Sequence, residues 1–143
     1  MKELKEIRFN DKEILLKDNL VRGSILPEKT SELNRHITFK GNTVVEGAIY
    51  AYRIEVQDGD LELQGALFGQ NEVYVNSDAT GVIKFKKSVA SSNSVVSLSK
   101  QAKVIFYSDI NAKTVSLRNA FVCGSIYADD IILENCVVIG GVF

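Results

Sequence analysis

Val45-Glu46-Gly47-Ala48-Ile49-Tyr50-Ala51-Tyr52-Arg53-Ile54-Glu55-Val56 holds two short phrases, and the rest of the chain repeats both. The first, aliphatic-x-Gly-small-aliphatic, returns as Val21-Arg22-Gly23-Ser24-Ile25, Leu63-Gln64-Gly65-Ala66-Leu67, Val122-Cys123-Gly124-Ser125-Ile126 and Val138-Ile139-Gly140-Gly141-Val142. Phe106-Tyr107-Ser108-Asp109-Ile110 is a serine variant of it. The second is an aliphatic pair with one residue between, as in Ile54-x-Val56. It returns as Ile14-x-Leu16, Ile37-x-Phe39, Val73-x-Val75, Val96-x-Leu98, Val115-x-Leu117 and Ile131-x-Leu133. Between Ile14 and Ile131 the pairs recur about every 20 residues, a period that marks a stacked, quasi-one-dimensional architecture.

Reading in twos from Val115 gives an inward set of Val115 and Leu117, then Ala120, Val122, Gly124, Ile126 and Ala128. It continues with Ile131 and Leu133, then Cys136, Val138, Gly140 and Val142. A two-residue period means half-buried strand, and the three-residue steps between runs are corners. No comparable stretch carries a 3.6-residue stripe, so no significant helix is predicted. Strands this short bury their apolar side chains only against the coils above and below. The expected fold is therefore all-β: a single-domain β-solenoid of about six to seven coils, roughly 34 Å long at the spacing of stacked strands. The recurring glycines are expected to form one inward column. Around Thr80 to Asn93, Phe85 and Val89 fit inward sites but Lys87 stands in the glycine place, which predicts a coil that is widened or out of register.

Two segments break the rhythm. Leu26 to Arg35 contains the single proline and reads as a loop ejected from a corner. Ser88 to Ser99, with six serines, reads as a second excursion or a polar coil. Residues 1–13 are highly charged and read as a lead-in strand or arm capping the first coil, with the β-helix domain running from 14 to 143. At the other end the chain stops inside a phrase, and no charged residue follows Glu134. A bare last coil presents unpaired N–H and C=O groups plus apolar side chains, the hazard of any open strand edge. Three readings stay open: the edge is a joint, the native chain continues, or the end is simply unprotected. If it is a joint, the residues are Val138, Ile139, Val142 and Phe143, and the natural partner is another copy of the chain.

Composition excludes more than it assigns. Seventeen Lys and Arg against eighteen Asp and Glu leave no electrostatic footprint for nucleic acid. No 18-residue apolar run and no apolar leader is present, so no transmembrane segment is predicted and a cytoplasmic location is expected. Cys136 falls on the inward set and Cys123 on the outward set, so both read as reduced thiols. Enzyme readings fare poorly. His36 is the only histidine, and with two separated cysteines it cannot make a zinc site of usual composition within one chain. Asp58 with Asp60, Asp109, and Asp129 with Asp130 fall at different repeat positions, which argues against stacked carboxylates for sugar chemistry. The six-residue aliphatic rule of hexapeptide acyltransferases fails where Ile49 is followed six later by Glu55. No nucleotide-binding or hydrolase motif is present. No enzyme activity, cofactor or metal is expected.

The phrases Val45-Glu46-Gly47-Ala48-Ile49-Tyr50-Ala51 and Val122-Cys123-Gly124-Ser125-Ile126-Tyr127-Ala128 resemble the bactofilins, polymer-forming bacterial cytoskeletal proteins. The resemblance covers about residues 14–143. It describes an atypical member, because Leu26 to Arg35 and the fourth coil interrupt the pattern. It implies a right-handed β-helix that assembles end to end into filaments without nucleotide, often at the inner face of the membrane. Other cytoskeletal or membrane-associated proteins are partners it allows.

Outward positions supply the remaining candidates. The residue after each phrase gives Leu26, Tyr50, Phe68 and Tyr127 on one edge of the rod. The residue before each phrase gives Val44, Glu62, Ile105, Phe121 and Val137, with Ile132 and Ile139 also outward near the C-terminus. A continuous apolar patch on a folded surface marks an interaction site. Two functions follow: a structural protein that self-associates end to end through its terminal coils into a filament or scaffold, or a β-helical protein-binding module that uses the apolar stripe.

Overall fold

The computed structural model describes residues 1–28 and 35–143. Among them there is no helix, and the strands are stacked in parallel as a β-solenoid of about seven turns. Each turn lays one strand on each of three faces. Face one stacks Lys2–Leu4, Asn19–Val21, Thr43–Val45, Leu61–Leu63, Val82–Phe85, Lys103–Phe106, Ala120–Val122 and Val137–Val138. Face two runs from Ile7–Phe9 and Ile25–Pro27 to Val89–Ser91, Ile110–Asn111 and Ile126–Tyr127. Face three runs from Glu13–Lys17 and His36–Lys40 to Ser94–Ser97, Thr114–Arg118 and Asp130–Glu134. The long strands Ile49–Asp58 and Leu67–Val75 serve both of the latter faces without a break.

The core is a column, as the period predicts. Along face one, Val21 sits on Val45, then Leu63, Phe85, Phe106 and Val122 follow in register. All six are buried, and the Phe85 and Phe106 rings stack at 4.7 Å. Identical positions pile on one another because a parallel ladder without slippage repeats each side chain on the same face one turn later. Ile37, Phe39, Ile54, Val56, Val73, Val75, Val115 and Leu117 fill the same column from face three.

Four expectations need correction. The glycines do form a column, with Gly47 N–H donating to the Gly23 carbonyl at 3.0 Å and Gly140 to Gly124 at 3.0 Å. The column lies at the corner between faces one and two, however, and not in the core. A Cβ on Gly47 would stand 2.5 Å from Gly23 C and Ser24 N, so the missing side chain is required by the backbone of the turn beneath. The turn carrying Lys87 is not out of register. Phe85 pairs with Leu63 and Val89 with Leu67, so the five-residue phrase keeps its length and Lys87 is simply exposed at the corner.

Of the two readings of Ser88 to Ser99, the polar coil holds and the excursion does not: Ser91, Ser97 and Ser99 are buried in it. Val89–Ser91 and Ser94–Ser97 stack on Leu67–Val75, and the inward pair there is Val95 and Ser97, one residue earlier than Val96 and Leu98. The wider places lie nearby, at the register shift between Gly69 and Glu72 and at the long corners 76–81 and 98–102. These two corners stack on each other, with Ser99 Oγ donating to the Ala79 carbonyl at 2.7 Å. Finally, the charged lead-in is strand and not an arm, and it begins the solenoid before residue 14: Lys2–Leu4 and Ile7–Phe9 pair with Asn19–Val21 and Ile25–Pro27 as the first turn itself. Charge and burial coexist because the alternation puts Phe9 and Leu16 inward and Lys2, Glu6, Arg8 and Glu13 outward. The loop expected over 26–35 falls largely on residues 29–34, which lie outside the described residues.

Candidate self-association surfaces

The last turn continues every core column and then stops covering it. Ile131 stacks under Val115, Leu133 under Leu117, Val138 under Val122, and Val142 bridges to Ile126. Their counterparts one turn earlier are fully buried, while Leu133 is 37% exposed and Val142 49%. Ile131, Cys136 and Val138 are half-buried against the core and share the same end surface. Because backbone pairing in a parallel stack uses both edges of each strand, the outer edge of this turn has no protein partner among the described residues.

The candidate joint residues divide between two places. Val138 and Val142 lie on the end surface. Ile139 and Phe143 lie at its rim, 66% and 68% exposed. Phe143 stacks on Tyr127 at 5.1 Å, and its N–H donates to the Ile126 carbonyl, so its ring runs down the side of the rod. Leu133 and Cys136 belong to the end surface but were not among the candidates; the two-residue alternation from Val115 was the signal that could have included them. The opposite end differs. Phe9 and Leu16 are buried there, Leu4, Ile7 and Ile14 are half-buried, and charged residues alternate with them around the turn.

On the sides, the predicted columns exist with interruptions. On face two, Tyr50 stacks on Phe68 at 5.4 Å and its hydroxyl donates to Gln70. Ala90 and Asn111 separate that pair from Tyr127, so the aromatic column is two patches. On face one the outward column reads Glu3, Leu20, Val44, Glu62, Lys84, Ile105, Phe121 and Val137, one residue per turn. Its last three members are apolar, with Phe121 38% and Val137 54% exposed. Beside them Tyr107, Cys123 and Ile139 continue the apolar patch around the corner.

Polar side chains mostly stitch neighbouring turns. Arg22 bridges Glu3 and Glu46 at 3.2 and 2.9 Å, Arg53 bridges Glu72 and Glu55, and Arg118 meets Glu134. Asp58 Oδ1 accepts from the Thr80 hydroxyl at 2.6 Å and from the Thr80 and Gly59 backbone N–H groups, which holds its carboxyl below the usual carboxylate range. His36 stacks on Tyr52 and lies 3.9 Å from Glu13. Among the described residues no group of three or more His, Cys, Asp or Glu side chains gathers, and both cysteines are free. Among the described residues no helix is long and apolar enough to cross a membrane. No family model matches the chain, and no curated protein or solved structure is significantly similar to it.

Proposed function

We propose that the chain is a non-enzymatic structural protein whose rods associate end to end through their terminal turns, building a filament or scaffold of the bactofilin kind. The single observation that carries this reading is the last turn. It extends the core columns through Ile131, Leu133, Val138 and Val142, yet leaves them open to solvent beside an unpaired strand edge. A second rod placed on that surface extends the ladder and buries the same side chains that every internal turn buries. Its stabilisation comes from apolar area at roughly 25 cal/mol per Å² together with the new backbone hydrogen bonds. The cytoplasm, with the inner membrane surface as a docking place, is the location this reading expects.

Sedimentation and electron microscopy of the purified protein test it. Assemblies that lengthen with concentration are expected, and Val142→Asp, which places a charge in the middle of the joint, should abolish that lengthening. A protein that stays monomeric at high concentration, or polymers that survive Val142→Asp unchanged, rules the joint out.

A further inference from the structure

The charge sequence along face one carries more than an apolar patch. Counted by turns, its outward column has a charged pair at the centre, Glu62 and Lys84, with Val44 and Ile105 flanking it and Leu20 and Phe121 beyond. Read from either end, the centre is complementary to its own reversal. We propose that two copies of this chain pair side by side through face one, with their rods antiparallel and their turns in register.

A two-fold axis along the strand direction, between the fourth and fifth turns, sets Glu62 against the second copy's Lys84 and Lys84 against its Glu62. The same operation sets Val44 on Ile105 and Leu20 on Phe121, so every apolar residue of the inner six meets another. Only the outermost contact, Glu3 against Val137, is mixed. Parallel pairing does the opposite: it faces Glu62 with Glu62 and Lys84 with Lys84, and like charges directly opposed disfavour a contact. The flanking columns agree. Reversal brings Gln64 to Lys86, Glu46 to Tyr107 and Asp18 to Asn119, with no like charges opposed. A shallow depression over the third to fifth turns of this face is lined by Met1, Asn42, Val44, Asp60, Glu62 and Lys84.

The size of the face sets the strength. Eight strands of about three residues give a surface of about 38 by 10 Å, or roughly 400 Å² per copy. That is about half of what a stable pair buries, so one rod pairs weakly with another. Rods joined end to end would present the face repeatedly, and many weak contacts on one body add by avidity. Lateral pairing does not depend on the end joint, but the joint would turn it from a fleeting contact into a bundle.

Sedimentation equilibrium of the Val142→Asp protein, in which end stacking is blocked, isolates the lateral contact. A concentration-dependent dimer is expected below about 1 mM chain. Glu62→Lys alone and Lys84→Glu alone should each raise the dissociation constant about tenfold or more. The Glu62→Lys/Lys84→Glu double variant, and an equimolar mixture of the two single variants, should both return to the parent value. Circular dichroism checks that each variant keeps its sheet, which outward substitutions leave intact. A monomer throughout, single reversals without effect, or a double reversal no tighter than the singles each overturns the proposal. Failure of the wild-type protein to lengthen beyond dimers would count against the end joint and leave this pairing standing.

Discussion

At the scale of single residues, two kinds of position decide stability, and they behave oppositely under substitution. Gly47 is held by distance: a methyl group there meets the backbone of Gly23 and Ser24, which cannot rotate away as a side chain could. Gly47→Ala should destabilise the protein by about 2 kcal/mol, read as a lowered urea midpoint, because one turn must lift from the next. Ser97 is the reverse case. Its hydroxyl is buried in the core column between Val75 and Leu117, with no hydrogen-bond partner among the described residues. Ser97→Ala should raise stability by about 1 kcal/mol in the same assay, since an unmet buried hydroxyl costs more than the contacts it makes. This residue also shows where the sequence could be misread. Val95 and Val96 are both aliphatic, so hydrophobicity alone selects Val96 and Leu98 for the core. The register is set by stacking on Val73 and Val75, which puts Ser97 inside.

At the scale of the element, strands were legible and corners were not. Six of the seven aliphatic pairs point inward as the two-residue period requires, because alternation is enforced by the pleat whatever the neighbours are. The turn from face three to face one follows another rule. It passes through a left-handed backbone conformation at Asp18, Gly41, Gly59, Gly81, Asn119 and Asn135, all residue types that tolerate it. Those residues were visible in the chain, but corner lengths vary, so their common role emerges only once the turns are superposed. Asp58 shows how such a corner is fastened. Its carboxylate accepts three hydrogen bonds, chiefly from Thr80 one turn on, and its lowered pKa means that the folded state favours the ionised form. The stability it contributes is complete above the ordinary carboxylate range and is lost as pH falls through the lowered folded value. Asp58→Asn should therefore be less stable than wild type at neutral pH, with a shallower fall in melting temperature between about pH 4 and pH 2.

At the scale of the whole molecule, the end surface and the sides were legible to different degrees. The apolar run after Glu134 was readable as a continuation of the core columns, and Val138 and Val142 stack on Val122 and Ile126 in them. Whether Ile139 and Phe143 shared that surface depended on the corner geometry, which turns them to the rim. The face-one column could be assembled from the sequence only in part, because Lys84 occupies a turn whose phrase lacks its glycine and so hid its place between Glu62 and Ile105.

Among the described residues every strand is hydrogen-bonded only to the turns directly before and after it, and this gives the rod a mechanical character. Drawn apart by its termini in an optical trap, the chain should peel from one end in steps. Each step would release a turn of about 20 residues and lengthen the tether by about 65 Å. A single large rupture would mean that turns far apart along the axis hold one another, which a ladder of this kind gives no means of doing.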